Sequence, residues 1–285
     1  MLETRRALLS RLLRDDGPDE LTVRQGQFHD VVMGSDRVVC LPRTTAAATR
    51  LPARATVLRA LAAVDLGCRT PEPLAGGVSH GADDAPFLVL SRVPGAPLEP
   101  GVLGDPRVAG AVAEQYAALL SALARAGADA SVRAALPHAP ADGWRRFAAD
   151  VRAELFGLMS AGGRDRAERE LDALDGLPHL TEAVVHGDLG PENVLWETVG
   201  GLPSLSGVVD WDEVTIGDPA EDLAAVGAGH GADFLGRVLA LGGWSDSARA
   251  TRVAAIRGTF ALQQALSAYR DGDEEELAEG LAGYR

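Results

Sequence analysis

The chain has 285 residues, 46% of them apolar, which is enough for one large domain or two modest ones with a sizeable core. Its net charge of −14 argues against a nucleic-acid partner. The imbalance is local: residues 181–285 carry 18 acidic side chains against 6 arginines, the rest 23 against 21, so a cationic partner of the C-terminal part is expected.

From the N-terminus, leucines 2, 8, 9, 12 and 13 recur at helical spacing without the uninterrupted apolar core of a signal peptide. Three short strands are predicted at Leu21–Val23, Val31–Met33 and Arg37–Leu41, parted by Gly26 and by Gly34-Ser35. A helix is predicted from Pro52, a favoured first helical residue, through Val57, Leu58 and Leu61. Residues 76–84 read as a Gly- and Asp-rich turn, followed by a buried strand over Phe87–Leu90 and a linker at Pro94-Gly95.

From Pro106 the pattern turns helical, with Val108, Ala111, Val112, Tyr116, Leu119, Leu120 and Leu123 at three- and four-residue steps. Further helices are predicted at Trp144–Met159, Arg164–Leu174, Ala220–Ala228, Phe234–Leu241, Ser247–Ala268 and Glu274–Ala282. Cys40 and Cys68 form neither a CxxC pair nor a disulfide framework, and no apolar run reaches membrane-spanning length; a cytoplasmic protein with no membrane partner is expected. All 27 basic residues are arginine, so no lysine can meet a phosphate in this chain.

The densest chemistry lies between Val184 and Asp222. Val184-Val185 lead into His186-Gly187-Asp188, and Asn193 follows five residues after Asp188. A strand over Val194–Trp196 turns at Gly200-Gly201 and returns at Gly207–Val209, delivering Asp210 and then Asp212. Phosphoryl transfer needs this set: one aspartate takes the proton of an attacking hydroxyl, while an amide oxygen and a second carboxylate hold magnesium. Residues 186–193, HGDLGPEN, follow the protein-kinase catalytic loop H-R-D-L-x-x-x-N, and Asp210-Trp211-Asp212 stands where D-F-G would.

With Gly187 in place of the arginine and Gly217-Asp218-Pro219-Ala220-Glu221-Asp222-Leu223 downstream, the chain from about residue 20 resembles the aminoglycoside phosphotransferase and choline kinase family. The resemblance implies an α+β, bilobal protein-kinase-like fold, with a small N-terminal β-sheet lobe and a mainly helical C-terminal lobe. The nucleotide-binding lobe would span residues 1–93, the hinge about 91–95, and the catalytic and substrate-binding lobe residues 94–285. It implies an ATP-dependent kinase using Mg2+, with Asp188 as the catalytic base and Asn193 and Asp210 as metal ligands. The loop Gly26-Gln27-Phe28 would cover the nucleotide phosphates, and Leu90, Arg92 and Val93 would receive the adenine.

The family's usual lysine on the third strand falls on Cys40 here, and its helix glutamate on Arg54. The pair therefore looks inverted, and Arg54 or Arg43 is expected at the phosphates. His186 is expected to brace the loop rather than to move protons, and Asp218 and Asp222 to be structural.

The stretches GQFHDVVMGSDRVVC, PGAPLE, ENVLWETV and RDGDEEELAEGLAGYR resemble phosphotransferases that inactivate tuberactinomycin peptide antibiotics such as viomycin and capreomycin. Asp212 and the acidic row Asp271, Asp273 and Glu274 are then expected to meet a small cationic antibiotic; no nucleic acid, membrane or obligate protein partner is expected. An aminoglycoside or small-metabolite kinase, and a non-catalytic drug-binding relative, are the alternatives.

Overall fold

The computed structural model describes residues 5–17, 20–26, 29–78 and 86–285. These form two compact, interleaved units. One comprises residues 1–115, 129–136 and 192–213; the other comprises residues 116–128, 137–191 and 214–285.

The first unit is built on an antiparallel sheet of five strands, β1 (Thr22–Gln25), β2 (His29–Met33), β3 (Arg37–Pro42), β4 (Pro73–Val78) and β5 (Pro86–Ser91), in the order β1-β2-β3-β5-β4. Alternation along the strands divides the side chains between two faces. Val39 and Leu41 of β3, with Phe87 and Val89 of β5, join Val32 in a core that Leu8 and Leu9 of the first helix and the following Leu13 close. That helix, α1 (Arg6–Leu12), carries the leucine stripe seen in the sequence. Cys40 therefore points to the opposite face. There it meets α2 (Thr45–Ala62), which buries Ala47, Leu51, Ala55, Leu58 and Leu61.

This helix starts earlier than the sequence suggested. Thr44 caps it, its hydroxyl accepting the Ala47 N–H at 3.1 Å, and Pro52 sits exposed inside it rather than at its first position. About two turns before Pro52, which bury Ala47 and Leu51, offset the hydrogen bond that the imide nitrogen cannot make. Strand β4 was also missed, because Pro73, Gly76 and Gly77 read as turn residues while its backbone pairs with β5.

The same unit contains a hairpin of β7 (Val194–Val199) and β8 (Leu202–Val208). Gly200 and Gly201, both at positive φ (61° and 80°), make its two-residue turn as the sequence predicted. Backbone bonds tie the hairpin to earlier parts of the unit. Arg69 N–H donates to the Ser206 carbonyl at 2.9 Å, Val208 N–H to the Arg69 carbonyl at 3.0 Å, and Ala96 and Trp196 exchange two bonds at 2.8 and 3.0 Å. A Cβ on Gly95, which has φ 102°, would stand 2.7 Å from the Trp196 carbonyl oxygen, so only glycine permits that approach.

Helix α3 (Pro106–Ala128) crosses the boundary between the units, and α4 (Ala130–Ala135) belongs to the first. The second unit is mainly helical. It holds α5 (Gly143–Asp150), α6 (Ala161–Asp175), the two-stranded pair β6 (Ala183–Val185) and β9 (Thr215–Gly217), and the helices α7 (Ala220–His230), α8 (Ala232–Gly242), α9 (Ser247–Gly258), α10 (Phe260–Asp271) and α11 (Glu274–Gly280).

Its core packs Val151, Leu155 and Leu171 against Leu262, Leu266 and Tyr284. The helix predicted over Ser247–Ala268 is two helices, broken at fully buried Thr259, whose hydroxyl bonds the Ile256 carbonyl at 2.8 Å. The predicted Trp144–Met159 helix loosens after Asp150 into a π turn and then a 3-10 turn. Among the described residues no helix is long and apolar enough to cross a membrane.

Candidate active site

The candidate residues divide between the two units. In the second, β6 runs straight into His186-Gly187-Asp188. Asp222, in the first turn of α7, is almost fully buried and faces the loop backbone. Its Oδ2 accepts the His186 N–H at 2.9 Å and its Oδ1 the Gly187 N–H at 3.1 Å. Gly187 adopts φ 87°, which explains glycine where protein kinases carry arginine.

The Asp188 N–H donates to His186 Nδ1 at 3.2 Å, so that nitrogen is an acceptor. Fully buried His186 thus braces the loop as expected, while Asp188 is exposed. Burial raises the Asp222 pKa, opposed by His186 and by the two backbone donors. Asp218 completes the frame: its Oδ1 accepts the Ala220 N–H at 2.9 Å at the start of α7, and its Oδ2 pairs with Arg252 of α9 at 2.8 Å. Glu221, between them, has its pKa pushed up to about 7 by burial and then by the charges of Asp222 and Asp218.

In the first unit, the hairpin base holds the expected metal ligands. Asn193 is buried immediately before β7, and its carbonyl accepts the Val209 N–H at 2.9 Å. That bond brings the strand return, and the Asp210 that follows it, beside Asn193. Asp210 has φ 62°, the one non-glycine residue at positive φ among those described. Trp211 is buried and anchors the turn by donating its indole N–H to the Val208 carbonyl at 3.0 Å. An amide oxygen and a carboxylate would supply hard oxygen donors of the kind that Mg2+ favours.

Against the sheet face that carries Cys40 lies a second polar cluster. Arg54 reaches from α2 to Asp212, with Nε 2.6 Å from Oδ1; the oxygen lies off the N–H direction, so the contact is ionic rather than a directed hydrogen bond. The Cys40 thiol lies within hydrogen-bonding reach of the same guanidinium, and burial raises its pKa, keeping it a thiol. Burial works against the charge of Arg54, yet Cys40, Asp212 and Asp210 outweigh it and raise its pKa. His29 is pushed down to about 4 by burial and by Arg54, so its ring is neutral at physiological pH. Arg54 Nη1, His29 Nε2 and Asp30 Oδ1 are buried and without hydrogen-bond partners.

The remaining expectations fall as follows. Gln27 and Phe28 lie outside the described residues. Gly26 donates its N–H to the His29 carbonyl and accepts from Arg43 Nη1, both at 2.8 Å, so Arg43 braces this loop from an exposed position. Leu90 is buried in β5, and the Arg92 N–H donates to the Asp36 carbonyl at 2.8 Å. Asp271, Asp273 and Glu274 are exposed, and Asp273 Oδ1 caps α11 by accepting the Glu276 N–H at 3.0 Å. The contact of Arg54 with Asp212 had no signal in the sequence beyond the absence of lysine.

The described frame, with its loop, hairpin and buried aspartates, can be set beside known proteins. The profile of the phosphotransferase enzyme family, APH, matches residues 22–255. The chain belongs to this family. It is accordingly a phosphotransferase enzyme. It is 70% identical over 285 residues to the viomycin phosphotransferase of Streptomyces vinaceus, covering 100% of this chain and 99% of that one.

Among solved structures, the GDP complex of wild-type aminoglycoside 2'-phosphotransferase-IIIa superposes with a TM-score of 0.81 at 19% identity, over 98% of this chain and 96% of that one. A macrolide 2'-phosphotransferase from Brachybacterium faecium, as apoenzyme, gives 0.67 at 20% identity over 98% of each chain. The phosphotransferase has the kinase-like fold, with a small antiparallel N-terminal sheet and a mostly helical remainder.

Proposed function

We propose that this phosphotransferase moves the γ-phosphoryl group of ATP to a hydroxyl of a viomycin-type cationic peptide antibiotic and thereby inactivates it. The observation that carries this reading is the 70% identity, along the whole chain, to a viomycin phosphotransferase. The nucleotide named in the GDP complex of a structural neighbour supports a nucleotide donor.

Asp188 accepts the proton of the acceptor hydroxyl as its oxygen bonds to the γ-phosphorus; the bond to the bridging oxygen breaks and ADP leaves. Asn193 and Asp210 would hold Mg2+, which supplies charge neutralisation at the phosphates. Residues 1–93 serve as the nucleotide lobe, with Leu90, the Arg92 carbonyl and the Val93 N–H at the adenine and the loop Gly26-Gln27-Phe28 over the phosphates; residues 94–285 carry catalysis and the acceptor. The acidic residues Asp271, Asp273 and Glu274 offer a landing surface for a polycation. The setting is the cytoplasm, where ATP is available.

Incubation of the protein with ATP, Mg2+ and a panel of viomycin, capreomycin, kanamycin and choline, followed by mass spectrometry, tests the reading. A single phosphate added to viomycin or capreomycin is expected. Modification of kanamycin or choline alone would replace the substrate class, and drug binding without ADP release would make the protein a sequestering relative.

A further inference from the structure

Deepening the phosphotransfer reading, on which it rests, we infer that Arg54 is the cation that meets the nucleotide phosphates and that Asp212 is the anchor that aims it. The pair does in this chain what a strand lysine and a helix glutamate do together in protein kinases. Here the cation comes from the helix and the anion from the loop after the hairpin.

Four observations converge. No lysine exists in the chain, and the β3 position that faces α2 is occupied by buried, neutral Cys40. Arg54 is anchored by Asp212, with Nε 2.6 Å from Asp212 Oδ1 and side-chain exposures of 17% and 26% for the two residues, and the Cys40 thiol lies within reach of the same guanidinium. Its Nη1 is buried and makes no hydrogen bond, an arrangement that a guanidinium tolerates where an anion completes it. His29 Nε2, buried and unpartnered on the adjacent β2, adds a neutral polar group to the same cluster.

Asp210 lies two residues before Asp212, so the Arg54 contact also fixes the turn that presents the expected metal ligand. A carboxylate already bound to a buried guanidinium is an unsuitable landing point for a cationic drug, which separates Asp212 from the exposed acidic row.

The alternative cation is Arg43, and its geometry argues against it. Its Nη1 is spent on the Gly26 carbonyl, at 2.8 Å, and the side chain is exposed, so any charge it offers is screened. Arg43 keeps the loop in place, whereas Arg54 Nη1 is buried and makes no hydrogen bond.

The test compares nucleotide binding with nucleoside binding, which a merely structural role would move together. ATP and adenosine affinities are measured calorimetrically, with and without Mg2+, for the wild type, Arg54→Gln, Arg54→Lys, Asp212→Asn and Cys40→Ser, alongside viomycin phosphorylation kinetics. Removing a charge-assisted contact to phosphate should weaken ATP about ten- to hundred-fold in Arg54→Gln, while adenosine affinity and the viomycin KM stay at wild-type values. Arg54→Lys should recover part of the ATP affinity because it restores the charge without the planar fork. Asp212→Asn should show a smaller loss of the same phosphate-specific kind, and Cys40→Ser should be mild.

The assignment is overturned if Arg54→Gln weakens adenosine as much as ATP, or neither. It is also overturned if Asp212→Asn raises the viomycin KM without touching ATP. Should Arg54→Gln fail to fold, the ATP-to-adenosine ratio in Arg54→Lys and Asp212→Asn decides by the same rule. A wild type that phosphorylates viomycin while the Arg54 variants bind ATP normally removes this inference alone. A wild type without ATP binding removes the proposed function with it.

Discussion

Two polar regions of the molecule differ in how completely their hydrogen bonds are satisfied. In the loop at His186-Gly187, each backbone donor meets an oxygen of Asp222, and Asp218 divides its two oxygens between a helix start and Arg252. Around Arg54, four buried polar atoms, Arg54 Nε and Nη1, His29 Nε2 and Asp30 Oδ1, make no hydrogen bond. A saturated network holds a backbone in one shape, because breaking it strands several groups at once. An unsaturated one costs stability unless something else completes it, as expected of a ligand site. On the proposed reading, the chain separates the frame that holds the His186-Gly187-Asp188 loop from the surface proposed to receive nucleotide.

The sharpest way to break this contrast is to remove the exposed member of the saturated loop. Asp188→Ala should lower kcat by a factor of about a hundred to ten thousand, as for loss of a catalytic base. The backbone N–H of residue 188 keeps its bond to His186 in the variant, and circular dichroism should show the protein still folded. Full activity in the variant would remove Asp188 from the reaction.

Next in size is the clamp itself. Asp222→Ala strands the buried His186 N–H, at a cost of about 1–3 kcal/mol, and removes the acceptor of the more exposed Gly187 N–H. A large fall in thermal stability is expected, with Asp222→Asn intermediate because its single carbonyl oxygen still accepts. An unchanged melting temperature in Asp222→Ala would show that the network is not what holds the loop.

Glu221 supplies a pH-dependent version. Its pKa is raised from 4.5 to about 7, so the folded state holds a proton that the unfolded chain has released across that window. The associated stability is present below pH 4.5 and lost as pH rises through 7. Glu221→Gln should therefore raise stability by about 1–3 kcal/mol at pH 8 and have little effect near pH 4.5. An equal gain at both pH values would assign the effect to packing.

The smallest effects belong to the solvated acidic row. Asp271→Asn with Glu274→Gln should raise the viomycin KM a few-fold and flatten its salt dependence, since surface charge is screened over about 8–10 Å at physiological ionic strength. Asp273→Ala should instead lower stability by about 1 kcal/mol through loss of the α11 cap. If all three changes move only the melting temperature, the row serves the helix and the drug lands elsewhere.

How much of this could be read from the sequence depended on chain distance. His186, Asp188 and Asn193 lie within eight residues, and the glycine turn that returns Asp210 is short, so local spacing carried the candidate ligands. The alternating strand residues and the leucine stripe of α1 were legible for the same reason, and the hairpin turn at Gly200-Gly201 followed from turn chemistry. Arg54 and Asp212 are 158 positions apart in the numbering, and no local pattern could join them. The start of α2 was misplaced because Pro52 is a common first helical residue, whereas packing of Leu51 and the Thr44 cap extended the helix past it. The Ser247–Ala268 periodicity ran on across Thr259, since a buried hydroxyl that turns back on its own backbone leaves the hydrophobic spacing intact.

The interleaving of the two units bears on how the protein is made. The chain that leaves the ribosome first contains β1 to β5 and α2. Arg69 and Ala96, however, take their backbone partners from Ser206, Val208 and Trp196, and Arg54 takes its counter-ion from Asp212. Until about residue 213 has emerged, the nascent N-terminal segment holds an arginine without its anion and strand-like edges without their hairpin. Such surface attracts chaperones and invites mispairing. A fragment ending at residue 115 should thus remain incomplete however long it is given, and adding the segment 192–213 as a separate peptide should restore it. Translation pauses placed before that hairpin would lower the yield of soluble protein, whereas pauses placed after it would not.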